Sequence, residues 1–109
     1  MEKLFYIWID DERPHPQLEN KMEDVIILTA RDYFGAVDLL NFCFTFPKAK
    51  VYVDFDHDLG LGKSGYDVAK YIVENTIPIA AYHCHTMNPV GRKNIEQLLD
   101  RYGYGRFYL

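Results

Sequence analysis

At 109 residues, with 49% hydrophobic and 16% aromatic residues, the chain is predicted to form one folded domain over residues 1–109. Its formal net charge of −4 argues against duplex nucleic acid as a partner. No apolar segment approaches the ~20 residues that cross a membrane, so a membrane is not expected as a partner either. Cys43 and Cys84 lie in apolar surroundings without metal-ligand spacing, which indicates buried, reduced thiols in a cytoplasmic protein. The oligomeric state stays open.

The first half of the chain predicts two strands and one helix. Residues 4–9 are continuously apolar, as in a strand buried on both faces. Pro14 and Pro16 then predict a loop where a helix would otherwise follow. Residues 25–28 form a second short strand, and apolar residues at helical spacing follow it. Thr29 is the predicted N-cap of that helix, with Asp32 as its reciprocal partner.

The second half repeats the alternation of strand and helix. Residues 50–55 and 79–84 predict strands, and residues 106–109 a last edge strand. Ser64, with Asp67 three residues later, predicts the start of one helix, and Asn88 followed by proline predicts another.

This alternation predicts a three-layer α/β domain with a parallel sheet. We expect flavodoxin-like strand order 2-1-3-4-5. Compared with that fold, the first helix is expected to be reduced to a loop and the final helix to be missing. All carboxyl ends of parallel strands lie along one edge of the sheet, where ligands bind in such folds. Seven polar residues follow strand ends and are expected to meet there: Asp10, Asp11, Asp56, His57, Asp58, His85 and Thr86.

Acidic residues dominate this predicted site. Asp10, Asp11 and Asp56 at neighbouring strand ends would repel one another, so a divalent cation or raised pKa values must compensate. Mg²⁺ suits such oxygen ligands and keeps waters that a phosphate can replace. The alternative is that Asp11 or Glu12 pairs with Arg13 or Lys63 at the surface.

The histidines suggest proton transfer. His57 and His85 follow adjacent strands and could act as general base and general acid across a cleft. Asp56 and Asp58 flank His57, and Asp58 is the predicted partner that orients an imidazole. The alternative is that each histidine is structural.

A helix start close to His85 suggests phosphate binding. Asn88 would cap the helix, whose N-terminal N–H groups attract anions. Gly91 allows close approach, Arg92 could add a bidentate contact, and Thr86 precedes the cap. The alternative is an ordinary helix cap.

The motifs together resemble receiver domains of two-component signalling, and more closely the cyclic-phosphate-processing receiver-like family. The matching segments follow the order of the chain: Asp10-Asp11-Glu12-Arg13-Pro14, Asp56-His57-Asp58-Leu59-Gly60, Gly65-Tyr66-Asp67 and His85-Thr86-Met87-Asn88-Pro89-Val90-Gly91. The resemblance implies processing of a cyclic phosphate, either a cyclic nucleotide messenger or an RNA 2′,3′-cyclic phosphate end.

The sequence therefore leads to the hypothesis of a nucleotide-binding hydrolase, a phosphoesterase in which His57 and His85 act as acid and base. Two alternatives stay open. One is a degenerate receiver that accepts a phosphoryl group on Asp56, and the other is a non-catalytic binder of a cyclic nucleotide or a protein.

Overall fold

The computed structural model describes residues 2–18, 24–60 and 62–108. A four-stranded parallel sheet with order β2-β1-β3-β4 forms its centre, and three helices connect the strands. The elements are β1 Lys3–Ile9, β2 Val25–Ala30, α1 Tyr33–Cys43, β3 Ala49–Phe55, α2 Gly65–Glu74, β4 Ala81–Cys84 and α3 Pro89–Arg101. The predicted α/β class, parallel sheet and strand order are confirmed for these four strands.

The predicted fifth strand is wrong over the residues that the structure describes. Tyr82 donates its backbone N–H to Gly105 and accepts from Phe107, which produces a single parallel bridge between Tyr82 and Arg106. Within the described residues, the chain after α3 thus meets β4 at one bridge and adds no fifth strand to the sheet. Residue 109 of the predicted strand lies outside the described residues.

The two faces of the sheet are covered differently. Alternation along β1 directs Phe5, Ile7 and Ile9 into the main core, which also contains buried residues of all three helices. Tyr6 and Trp8 face the opposite side and pack with Leu18. Residues 10–18 contain no helix, as predicted, and residues 19–23 lie outside the described part of the chain. Loop residues therefore form the layer on this second face.

The helix starts follow local hydrogen bonding. Asn88 caps α3 through Gly91 N–H, and Ser64 forms the predicted capping box with Asp67. The prediction for α1 is wrong, because Asp32 is the N-cap and accepts from Gly35 N–H at 2.7 Å. Thr29 cannot serve as the cap because it still belongs to β2, where it pairs with Trp8 of β1.

Both cysteines are buried free thiols, as predicted. Burial raises the pKa of Cys43 to about 11. Burial, helped by the charges of Glu96 and Asp54, raises that of Cys84 to about 12. Within residues 2–18, 24–60 and 62–108, no helix has the length and apolar character needed to cross a membrane.

Candidate functional site

An open cleft of about 300 Å³ lies at the carboxyl edge of the sheet. Its lining consists of residues that follow β1, β3 and β4: Asp10, Asp11, Glu12, Arg13, Asp56, Asp58, Thr86, Met87 and Asn88. The predicted convergence of strand ends is therefore observed in this lining for five of the seven residues expected to meet there, and the predicted phosphate-binding residue Asn88 joins them. Among the described residues, five carboxyl groups face one guanidinium, so this lining is strongly acidic.

His85 lies behind the acidic cleft, between two buried carboxyl groups. Its Nδ1 is 2.7 Å from Oδ1 of Asp54, and its Nε2 is 3.0 Å from Oδ2 of Asp10. The side chains of Asp54 and Asp10 are each only 1% exposed. Carboxylates accept hydrogen bonds but do not donate them, so both contacts are satisfied when the imidazole carries a proton on each nitrogen.

Aromatic residues of β1 fix this arrangement from the second face of the sheet. The indole of Trp8 stacks on the imidazole of His85, with ring centroids 3.7 Å apart and planes inclined by 12°. The hydroxyl of Tyr6 donates to Oδ2 of Asp54. Burial, followed by the charge of Asp54 and this hydrogen bond, raises the pKa of Tyr6. Tyr6 thus remains a donor to Asp54.

The roles of Asp54, Trp8 and Tyr6 are not among those predicted from the sequence, although the sequence contains a signal for Asp54. Asp54 precedes Asp56, the first residue after β3, by two residues, so the alternation of the strand directs both side chains to the same side of the sheet. It is also a carboxyl group inside an otherwise apolar strand, and such groups need a partner. The strand register pairs Asp54 with Trp8 on one side and with His83 on the other.

The negative charge of the buried Asp10 carboxylate is compensated by hydrogen-bond donors of this chain. Burial alone would raise its pKa, but backbone N–H groups of Arg13 and Glu12, together with His85 and the Arg13 guanidinium, hold that pKa below its ordinary value. Nε of Arg13 lies 3.0 Å from Asp10, and Nη2 lies 3.8 Å from Oδ2 of Asp56. The alternative of a raised pKa is therefore wrong for Asp10.

Asp10, Asp56 and His85 could hold a metal ion. One potential ligand atom from each lies within 4.8 Å of the others, the spacing that a single cation requires. Two carboxylates and an imidazole are suitable ligands for divalent cations, so these residues fit such an ion. Asp11, the third ligand predicted from sequence, lines the cleft but is not part of this group, and His85 takes its place. Arg13 would have to release Asp10 for an ion to enter.

His57 lies apart from His85. A Cβ added to Gly91 would come within 2.3 Å of Cγ of His57, so the ring packs against α3 on the helical face of the sheet. Nδ1 of His57 is 3.1 Å from Oδ1 of Asp58, the partner predicted from sequence. His57 does not line the acidic cleft, nor does His85. The two histidines occupy opposite faces because His57 is the second residue after β3, whereas His85 is the first after β4.

The predicted phosphate-binding residues are engaged with one another. Asn88 Oδ1 accepts from Gly91 N–H at 2.9 Å, and Thr86 Oγ1 accepts from Asn88 N–H at 3.2 Å. Nη2 of Arg92 donates to the backbone carbonyl of Thr86 at 2.8 Å. Thr86 and Asn88 line the acidic cleft, whereas Arg92 lines a neighbouring pocket and Gly91 lies beneath the His57 ring. A phosphate in the cleft would therefore meet Thr86 and Asn88 but not Arg92.

The parallel sheet and the acidic cleft at its carboxyl edge define a receiver-like α/β domain. The family model described as the cyclic-phosphate processing receiver domain matches residues 5–101, and the chain belongs to that family. No curated protein and no solved structure matches the chain. The resemblance deduced from the sequence motifs is thereby confirmed.

Proposed function

We propose that this domain is a phosphoesterase that opens a cyclic phosphate by acid–base catalysis, and that His85 transfers the proton. The observation that carries the proposal is the position of the His85 imidazole, with both nitrogens on buried carboxyl groups beside the cleft. A histidine held in one orientation by a carboxylate suits proton transfer near neutral pH. The family to which the chain belongs supports the choice of a cyclic phosphate as substrate.

The proposed reaction is hydrolysis of the ring. The oxygen of a water molecule forms a bond to phosphorus, and one ring P–O bond breaks. The attacking water loses a proton, and the leaving oxygen gains one. His85 Nε2–H would donate to the leaving oxygen, and a carboxylate that lines the cleft would accept the proton from water. The product is an acyclic phosphate monoester.

The charge of the cleft implies a role for a cation. Five carboxyl groups and one guanidinium line it, so an anionic phosphate is repelled unless positive charge is added. Asp10 and Asp56 are the carboxylates that would hold a divalent ion such as Mg²⁺, which would neutralise the phosphate charge when bound. His85 Nε2 can either ligate that ion or donate a proton, but not both.

We assign no proton transfer to His57. Its ring packs against Gly91 of α3, on the face of the sheet opposite to His85, so we expect it to support the fold of the loop after β3. This assignment replaces the two-histidine mechanism expected from the sequence.

Turnover of 2′,3′-cyclic mononucleotides and cyclic oligonucleotide messengers tests the proposal, with Mg²⁺ and with EDTA. We expect His85→Ala to lower kcat by at least about 100-fold, the contribution typical of general acid–base catalysis. His57→Ala is the matched control and is expected to retain most of kcat. EDTA is expected to raise KM while activity still depends on His85.

Other outcomes would change the proposal in defined ways. If EDTA lowers kcat as much as His85→Ala, and His85→Ala also weakens metal binding, Nε2 ligates a metal and does not donate a proton. Tight binding without turnover in folded protein would replace the enzyme with a binder. Transfer of phosphate from acetyl phosphate to Asp56 would favour the phospho-acceptor.

A further inference from the structure

A second pocket adjoins the acidic cleft. Its volume is about 310 Å³, and it shares Thr86 and Met87 with the cleft. The remaining lining belongs to the first turns of α3: Pro89, Arg92, Lys93 and Glu96. The Met87 side chain, which is 84% exposed, lies on the boundary between the two. A ligand that extends beyond the cleft on this side would therefore enter the second pocket.

The charge of this second pocket is opposite to that of the cleft. Arg92 and Lys93 contribute two positive charges, and Glu96 contributes one negative charge. The carboxylate of Glu96 is already paired, because its Oε2 lies 3.3 Å from Nη1 of Arg106. The pocket is therefore cationic, directly beside a cleft lined by five carboxyl groups.

Arg92 is held in place with donors to spare. Its Nη2 donates to the backbone carbonyl of Thr86 at 2.8 Å, which fixes the guanidinium at the wall shared with the cleft. A guanidinium carries five N–H donors in a planar fork, so among the residues that the structure describes other donors remain for a ligand. That geometry matches phosphate oxygens, and Lys93 adds a second positive charge.

We propose that the second pocket binds a second phosphate, one nucleotide away from the cyclic phosphate in the cleft. The substrate would then contain at least two nucleotides, and a cyclic mononucleotide would fill only the cleft. Met87 would provide apolar contact for the sugar or base between the two phosphates. This inference rests on the proposed function, because the cyclic phosphate must occupy the cleft.

The test compares two substrates that differ only in the second phosphate: adenosine 2′,3′-cyclic phosphate and the dinucleotide ApA with a terminal 2′,3′-cyclic phosphate. We expect kcat/KM to favour the dinucleotide by about tenfold, as one or two charge-assisted hydrogen bonds would produce. The variant Arg92→Gln/Lys93→Gln is expected to lose that preference. Lys48→Gln, which removes an exposed lysine immediately before β3, is the matched control and should keep it. A cyclic dinucleotide substrate shows whether a 3′,5′-linked messenger supplies the second phosphate instead.

Binding of the reaction products separates the two proposals. The affinity of the protein for ApA 3′-phosphate is compared with that for adenosine 3′-phosphate, which requires no turnover. Tighter binding of the dinucleotide that disappears in the double variant supports the second-phosphate pocket even when neither substrate is cleaved. Equal affinities, or a preference that survives the double variant, overturn it. Absence of turnover alone contradicts only the phosphoesterase.

Discussion

Oδ1 of Asp54 lies 2.7 Å from Nδ1 of His85, although 31 residues separate the two along the chain. The contact joins neighbouring strands, since Asp54 lies within β3 and His85 follows the last residue of β4. Asp54 is completely buried and also accepts from the hydroxyl of Tyr6. A carboxylate so placed keeps a proton on Nδ1 of the imidazole and fixes the orientation of the ring.

Asp54→Asn tests this orienting contact. The amide has nearly the same shape but no charge, so we expect the protein to fold while kcat/KM falls by about 10- to 100-fold, the usual effect of losing an orienting carboxylate. Circular dichroism monitors the fold, and Asp38→Asn on the exposed face of α1 is the control.

Tyr6→Phe tests the hydroxyl group that donates a hydrogen bond to Asp54. It removes the hydroxyl that donates to Asp54 but leaves the carboxylate in contact with His85. We expect a smaller loss of activity than for Asp54→Asn, with an unchanged fold. Wild-type kinetics in Asp54→Asn would show that the carboxylate serves stability alone.

Metal binding distinguishes Asp56 from Asp11. Both line the cleft, but only Asp56 belongs to the group that could hold an ion. Asp56→Asn is expected to weaken Mn²⁺ binding by about tenfold or more, because it removes a charged ligand. Asp11→Asn should weaken it by about twofold, through a more distant charge alone. Titration of Mn²⁺ followed by electron paramagnetic resonance measures both.

Equal losses of Mn²⁺ affinity in these two variants would restore the ligand set expected from the sequence. Unchanged binding in both would exclude the acidic cleft as the metal site. Asp38→Asn controls for the loss of one negative charge elsewhere on the protein.

Gly65 allows the chain to pass close to Asp56 at the start of α2. A Cβ at this position would lie 1.9 Å from the backbone carbonyl oxygen of Asp56, a distance that the backbone must relieve by moving. We expect Gly65→Ala to lower the free energy of unfolding by about 1–3 kcal/mol or more. Urea denaturation measures it.

Gly105→Ala is the matched control for Gly65→Ala. Among the described residues, no heavy atom lies within 4 Å of a Cβ at Gly105, and its φ is not positive. Its stability should therefore stay close to that of the wild type. A Gly65→Ala variant as stable as this control would mean that the loop after β3 can move to accommodate the Cβ without a loss of free energy of unfolding.

The cap of α2 should depend on pH. The backbone N–H of Ser64, 2.7 Å from Oδ2 of Asp67, is the main cause that holds the pKa of Asp67 below its usual value of 3.8. A carboxyl group whose pKa is lowered by folding stabilises the protein above its unfolded-state pKa, and this contribution is lost as pH falls through the folded-state pKa. Asp67→Asn should therefore lower the free energy of unfolding at pH 7 by about 1 kcal/mol.

Urea denaturation across pH 7 to 2.5 measures the effect of Asp67. The difference between wild type and Asp67→Asn should shrink below pH 4, because the wild-type carboxyl group becomes neutral there. A difference that stays constant over the whole range would show that charge plays no part in the cap.

The sequence predicted those parts of the fold that depend on neighbours within a few residues. Ser64 and Asn88 begin helices where expected, because each cap is completed by a hydrogen bond to the residue three positions later. The boundary between β2 and α1 was misplaced, since Thr29 and Asp32 are both acceptable caps. The pairing of Thr29 with Trp8 in the sheet decides between them.

By itself the sequence determined that acids and histidines follow the strands of a parallel α/β sheet, and hence that Asp10, Asp56 and His85 meet at one edge. Only the tertiary structure decided which of these groups touch. His85 lies between Asp10 and Asp54, and His57 lies on the opposite face against Gly91. The physical reason is that strand topology fixes the edge, whereas contacts between side chains depend on the register and on the face to which each residue points.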